Sequence, residues 1–251
     1  MNTVLTKHVS ISSVFALLFI FAGCAIPVAH THALVKKHTP STHTSTSTPI
    51  TLQKTVELTF DDGPYGTSTE QVLQILKQEQ VQGTFFVMGQ NVAKYPDQTR
   101  EIVANGNVIG NHTYTHTNLS TISTGQALAD IARAEATIAS TTGIQTHLFR
   151  PPYGVLPKAD RKALRAQGYR IIMWNDDPED WNFSSSSKDQ IVARVLEQKK
   201  GTAHLIVIFH DGRDTQINYP RTNMIEALPV VIEALKKQGY KFVTATSTVP
   251  S

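Results

Sequence analysis

Several things are scarce in this chain, and each shortage excludes something. Its 251 residues include one cysteine, Cys24, so no intrachain disulfide can staple the fold and it must rest on its core. The net charge is only +3. No stripe of Lys and Arg interleaved with aromatics runs along it, which argues against a nucleic-acid partner. The mild basicity serves solubility. No Gly-x-Gly-x-x-Gly follows the first strand-like run, which removes the main signature of a dinucleotide fold. The apolar run Val14–Phe21 is too short to span a bilayer. What remains is an ordinary globular composition, 40% hydrophobic and 17% charged, long enough for one large domain or two small ones.

Lys7 and His8 precede Val14–Phe21, the pattern of a secretory leader with its h-region. Phe21-Ala22-Gly23-Cys24 resembles the lipobox of bacterial lipoproteins, with Phe21 where Leu is usual. The plainer alternative is a leader cut near Cys24 or around Ala33. Residues 1–24 are thus expected to be a signal segment. The protein is expected outside the cell or in the envelope, touching a membrane only through a lipid on Cys24. Residues 25–54 are rich in Ser, Thr, His and Pro and have no apolar period. They read as a linker, with His30, His32, His38 and His43 as polar tether residues rather than ligands. Residues 55–247 form the body. No extra interface segment is evident, so a monomer is expected.

Strand-like and helix-like segments alternate along the body. Thr55–Phe60, Thr84–Met88, Val108–Asn111, His147–Phe149, Arg170–Trp174, Leu205–Phe209 and Lys241–Ala245 read as strands. Thr69–Gln80, Pro96–Asn105, Thr124–Thr142, Pro157–Gln167, Lys188–Gln198 and Asn223–Gln238 read as helices, several closed by a following Gly. This alternation predicts an α/β fold with a mostly parallel sheet. About seven βα units suit a distorted, incomplete (β/α) barrel better than a full eight-unit one.

In parallel α/β architectures, functional residues collect just past the C-terminal ends of strands. Asp61 and Asp62 follow the first strand, His112 and His116 the third, and Arg150-Pro151-Pro152-Tyr153 the fourth. Asp177, Asp180 and Trp181 follow the fifth, and His210 and Asp211 the sixth. Two adjacent carboxylates repel unless a cation compensates, and a metal ion is the obvious one. His112 and His116 have the His-x3-His spacing of a chelate, sharing a face if they lie on a helical turn. With one Asp they make a two-imidazole, one-carboxylate set with positions left open. Such a set also suits non-haem iron, but an exported hydrolase makes zinc the expectation.

Five motifs in order carry a resemblance: Thr59-Phe60-Asp61-Asp62-Gly63-Pro64, His112-Thr113-x-x-His116, Arg150-x-Pro152-Tyr153, Asp177-x-x-Asp180-Trp181 and Ile208-x-His210. From about Thr55 to Ala245 the chain resembles the polysaccharide deacetylases with a NodB homology domain, carbohydrate esterase family 4. Ile208, where Leu is usual, is the one departure. The resemblance implies that Asp62, His112 and His116 hold one divalent metal, zinc by preference, with cobalt or another ion possible. It implies that Asp61 is the general base on the metal-bound water and that Arg150 pairs with and orients it. The Tyr153 N–H would help hold the oxyanion, and His210 would protonate the leaving amine, tuned by Asp180. Trp181 and Ile208 would shape the acetyl pocket. The implied substrate is an acetylated polysaccharide: chitin, chitooligosaccharide or peptidoglycan.

Elementary chemistry asks for the same parts. Amide hydrolysis needs activated water, a polarised carbonyl and an acid for the amine; zinc lowers its water's pKa from ~15.7 to about 7, and a poised imidazole suits the amine. Arg150 should keep Asp61 ionised, and Asp180 should raise the His210 pKa. Other residues read more plainly. Trp174 reads as core, His147 and His204 as packing or surface, Asp176 and Glu179 as loop charges, Asp211 as a strand end, and Tyr65 as either packing or sugar contact. Three rivals stand beside the N-deacetylase: a metal-free glycosidase on Asp177 and Asp180, a non-catalytic glycan binder, and an O-acetyl xylan esterase using the same site.

Overall fold

The computed structural model describes residues 53–183, 185–197, 202–212 and 221–246. The expected leader, Cys24, and the linker with its four histidines lie outside the described residues, save for the linker's last two. In chain order the elements are β1 (Thr55–Asp61), α1 (Gly66–Gln78), β2 (Thr84–Val87), α2 (Gly89–Lys94), α3 (Pro96–Ala104), β3 (Val108–Asn111), α4 (Thr124–Thr142), β4 (Leu148–Phe149), α5 (Lys158–Ala166), β5 (Arg170–Ile171), α6 (Lys188–Glu197), β6 (His204–His210), α7 (Thr222–Lys237) and β7 (Lys241–Val243).

The strands make a seven-stranded sheet in the order β5-β4-β3-β2-β1-β6, and every pairing is parallel. β7 lies along the first half of β1 (Thr55 to Glu57), and β2 takes over the same edge from Thr59. Beyond β5 the chain crosses to β6, where Asp176 bridges Val207 and Ile208 N donates to the Asp176 carbonyl at 3.0 Å. The sheet therefore curls until its outer strands meet at one point, an incomplete barrel as the alternation implies.

Strand periodicity explains what faces where. The β1 sequence Thr-Val-Glu-Leu-Thr-Phe-Asp sends alternate side chains to opposite faces. Val56, Leu58 and Phe60 are fully buried in the main core with Val72 and Leu76 of α1 and Leu228 and Ile232 of α7. Glu57, Thr59 and Asp61 share the other face with the β6 residues in register: Glu57 with Ile206, Thr59 with Ile208, Asp61 with His210. Because all strands run the same way, their C-terminal ends share one rim. Asp61 and His210 are next-door neighbours on it.

Some boundaries differ from the sequence expectation. β5 ends at Ile171, not Trp174, because its partner β4 is two residues long and is followed by Arg150-Pro151-Pro152; proline has no N–H to extend a ladder. β7 ends at Val243, not Ala245, because β2 occupies the β1 edge beyond that level; Ala245 N donates to Thr84 Oγ1 instead, at 3.1 Å. α2 has no counterpart in the sequence reading, and α1 begins three residues before Thr69. Among the described residues no helix is long and apolar enough to cross a membrane.

Candidate active site

The rim carries a cleft of about 350 Å³ whose lining includes Asp61, Asp62, His112, His116 and His210. The first loop shows how two adjacent carboxylates escape each other. Asp61 ends β1 in extended backbone, whereas Asp62 has φ 71, a left-handed conformation uncommon for a non-glycine residue. That turn separates the side chains. Asp61 Oδ1 accepts from Arg150 Nη1 at 2.8 Å. Asp62 Oδ1 lies 3.1 Å from His116 Nε2 and 3.4 Å from His112 Nε2.

The two histidines do not sit on a helical turn, contrary to expectation. They occupy a loop in which Thr113 has φ 67 and His116 φ 59. The loop is braced from outside. Asp130 Oδ2, on α4, accepts from Tyr114 N at 2.9 Å and Thr115 N at 3.2 Å. Asn111 Oδ1 accepts from Thr113 N at 2.9 Å, and Thr113 Oγ1 accepts from His116 N at 3.0 Å. Strained residues persist only where their surroundings over-determine them, and such residues cluster at functional sites.

Asp62, His112 and His116 suit a divalent ion on three observations. Their ligand atoms lie within 4.8 Å of one another. Asp62 Oδ1 is buried without a hydrogen-bond partner, an expensive arrangement for a carboxylate oxygen unless a cation takes it up. His112 Nδ1 meets the Arg150 carbonyl at 2.7 Å. A carbonyl only accepts, so Nδ1 carries the hydrogen, which leaves Nε2, the atom facing Asp62, as the one to bind a cation; metal-binding histidines are usually held this way.

Arg150 lies beneath the cleft and is fully buried. Its Nη1 also donates to Thr59 Oγ1 at 2.8 Å and its Nε to the Ile172 carbonyl at 3.1 Å. The guanidinium stacks 4.2 Å from the Phe86 ring centroid. Burial pushes the Arg150 pKa down, and the Asp61 carboxylate opposes that. Across the cleft, Asp180 holds His210 with both oxygens: Oδ1 with Nδ1 and Oδ2 with the backbone N, each at 2.8 Å. Burial alone would lower the His210 pKa, but Asp180 reverses this and lifts it to about 9.

Tyr153 has φ 58 in a short 3-10 turn, Pro152–Gly154, its ring edge-on to His116 at 4.7 Å. Trp181 and Ile208 line the same cleft. All ten residues expected at the site therefore converge there or directly beneath it.

Three plain readings are corrected. Trp174 is not core: it lines the cleft. Asp176 is not a loop charge but is buried in the bridge to β6. Asp211 does more than end its strand. Its Oδ2 accepts from Thr69 Oγ1 at 2.6 Å, its carboxylate packs so closely on Gly63 that a Cβ there would overlap it, and burial raises its pKa to about 7. His147 packs edge-on to Tyr169, and His204 meets Thr55 Oγ1 at 2.7 Å, as expected of packing residues. Tyr65 packs edge-on to Tyr95, and Glu179 pairs with Arg194 at 3.2 Å.

Sequence reasoning missed Asn111, Asp130 and Arg221, and it placed Asp211 on the rim without a role. Asn111 and Asp211 adjoin site histidines, a signal that could have found them. Asp130 is fourteen residues from His116 with nothing in the sequence to tie them.

Residues 49–172 match the family described as Polysaccharide deacetylase. A peptidoglycan-N-acetylglucosamine deacetylase of Bacillus cereus is 34% identical over 77% of this chain and 87% of the relative. The peptidoglycan-N-acetylmuramic acid deacetylase PdaC of Bacillus subtilis is also 34% identical over 77% of this chain, but over only 38% of its own length. Among solved structures, a peptidoglycan N-acetylglucosamine deacetylase bound to a naphthalenyl N-oxidanyl-benzamide has TM-score 0.71 and 33% identity, covering 78% of this chain and 88% of the other. A family 4 pseudoenzyme from Bacillus anthracis has TM-score 0.69 and 29% identity, over 78% of this chain and 65% of the other. The chain belongs to the polysaccharide deacetylases of carbohydrate esterase family 4.

Proposed function

We propose that the protein is a metal-dependent N-deacetylase acting on N-acetylglucosamine-containing polysaccharide, peptidoglycan or chitooligosaccharide, as an exported monomer. The observation that carries this is one cleft holding both a metal-ligand cluster and two separately held proton carriers. Asp61 is clamped by a buried guanidinium, and His210 is clamped by Asp180.

Asp62, His112 and His116 hold the ion, with zinc preferred for an exported hydrolase. The chemistry supplied by such an ion is polarisation of the acyl carbonyl and acidification of water. Asp61 takes the proton of the attacking water, and Arg150 fixes its orientation. The Tyr153 N–H donates to the oxyanion, as backbone donors do in acyl transfer. His210, protonated through neutrality, delivers a proton to the departing amine. Trp181 and Ile208 bound the acetyl group.

Acetate release from chitooligosaccharide or peptidoglycan, abolished by a chelator and restored by zinc, tests the reading; release indifferent to the chelator refutes it. That test also separates turnover from the non-catalytic alternative, since a pseudoenzyme shares the fold. The glycosidase reading loses its paired acids, because Asp180 is committed to His210 and Asp177 Oδ1 accepts from the Glu179 N–H at 2.8 Å. An O-acetyl xylan esterase would use the same cleft, but an imidazole lifted to about 9 fits an amine leaving group better than an alcohol. The body at 55–247, the leader and the lipid on Cys24 are part of the proposal; mass spectrometry of the mature N-terminus reads the last two directly.

A further inference from the structure

The roles above leave the one guanidinium in the described lining of the cleft unused. Arg221 lines the same cleft as Asp61, Asp62 and His210. It is the only guanidinium or ammonium group among the described residues of that lining, since Arg150 lies beneath it. Arg221 Nε donates to the Gly212 carbonyl at 2.9 Å. Gly212 in turn packs on the Asp62 backbone so closely that a Cβ would overlap the Asp62 carbonyl, and its N–H donates to the Asp61 carbonyl at 3.2 Å. The cation is thus tied, through one glycine, to the loop that carries the base and the metal ligand.

The acids lining the cleft have other partners. Asp61 bonds Arg150, Asp62 faces the two imidazoles, and Asp177 accepts from the Glu179 N–H. A neutral N-acetylglucosamine unit also offers nothing that needs a full positive charge. A guanidinium held by its Nε is a natural receiver for a planar carboxylate.

We infer that Arg221 makes the cleft selective for acidic glycans, binding a carboxylate that the substrate carries next to the acetamide being cleaved. The inference rests on the N-deacetylase reading and adds the substrate class. The carboxylate is either an ether-linked lactyl group on a sugar ring or the acid of an attached peptide; the chemistry at Arg221 is the same.

The test uses the full-length zinc-loaded protein and four substrates. These are chitotetraose, a peptide-free tetrasaccharide alternating N-acetylglucosamine with N-acetylmuramic acid, the same tetrasaccharide with its carboxyls methyl-esterified, and the same tetrasaccharide with its lactyl carboxyls amide-linked to a stem peptide whose own acids are free. Wild-type kcat/KM for acetate release should favour an acidic substrate over the ester by about 10- to 100-fold, the range of one charge-assisted hydrogen-bond pair. The arm that shows the preference identifies the source of the carboxylate. Arg221→Gln should erase that preference, and Arg221→Lys should keep part of it. Equal losses on acid and ester in Arg221→Gln would overturn the inference. So would a wild-type enzyme that ignores the charge, a comparison that needs no variant to fold. No acetate from any of the four would instead remove the deacetylase reading beneath it.

Discussion

Asp180 gives one carboxylate oxygen to the His210 ring and the other to its backbone, so ring orientation and charge are set together. The folded His210 pKa, about 9, stands above the ordinary 6.5. The stabilisation this represents is therefore fully present below about 6.5 and is lost as pH rises through about 9. If His210 is the acid, acetate release should keep its alkaline limb above neutrality. Asp180→Asn removes the main support against burial and leaves only the Asp62 charge opposing it, so the limb should move to lower pH, which a pH–kcat/KM profile reads directly. Arg150 makes a second prediction at this scale. Truncating one partner of a buried ion pair leaves the other charge uncompensated and typically costs about 3–5 kcal/mol. Arg150→Ala should destabilise by that amount in urea unfolding, beyond any loss of activity.

At the scale of elements, the His112–His116 loop is held in place by α4 as much as by its own residues. Asp130 caps two loop amides, and Arg133 lies 3.6 Å from the Tyr114 ring centroid. Asp130→Ala should weaken zinc binding by about 10- to 100-fold, as loss of a residue that holds the ligands in place does, while circular dichroism stays unchanged. Titration calorimetry would show it; undiminished affinity would mean that the loop holds itself. The β6–α7 side makes a matching claim. Gly212→Ala forces a Cβ into the Asp62 carbonyl and should lower metal occupancy. The elements themselves were largely legible in the sequence, because caps and periods are local signals. The limits of α4 show it: Ser123 and Gln126 form a capping box and Gly143 closes the helix in the left-handed region. The short strands were less legible, since β4 and β5 end where a partner runs out, and partners are not written in local sequence. The positive φ of Thr113 and His116 was hidden in part for the same reason: Asp130, which braces the loop, comes from a distant helix.

For the whole molecule, parallel strands set the chemistry on one rim, and the register of β1 with β6 places Asp61 beside His210. The ten expected site residues were readable because five motifs at strand ends must converge in such a sheet. Trp174 and Arg221 were not, because an apolar neighbourhood and a lone Arg look the same whether or not they face a cleft. A ligand that binds only the folded state stabilises it by about 2.7 kcal/mol at a hundred times its Kd. Zinc should therefore raise the melting temperature of the wild type and leave that of His116→Ala nearly unmoved.

The central claim is the division of labour between Asp61 and Asp62: Asp61 is bonded to the guanidinium and stands 3.7 Å from His112 Nε2, and Asp62 lies nearer both imidazoles. The most direct test is the zinc content and acetate release of Asp61→Asn beside Asp62→Asn. The account predicts that Asp61→Asn keeps its zinc and loses its turnover, while Asp62→Asn loses both. An Asp61→Asn protein that stays fully active, or that loses zinc as completely as Asp62→Asn, would contradict it.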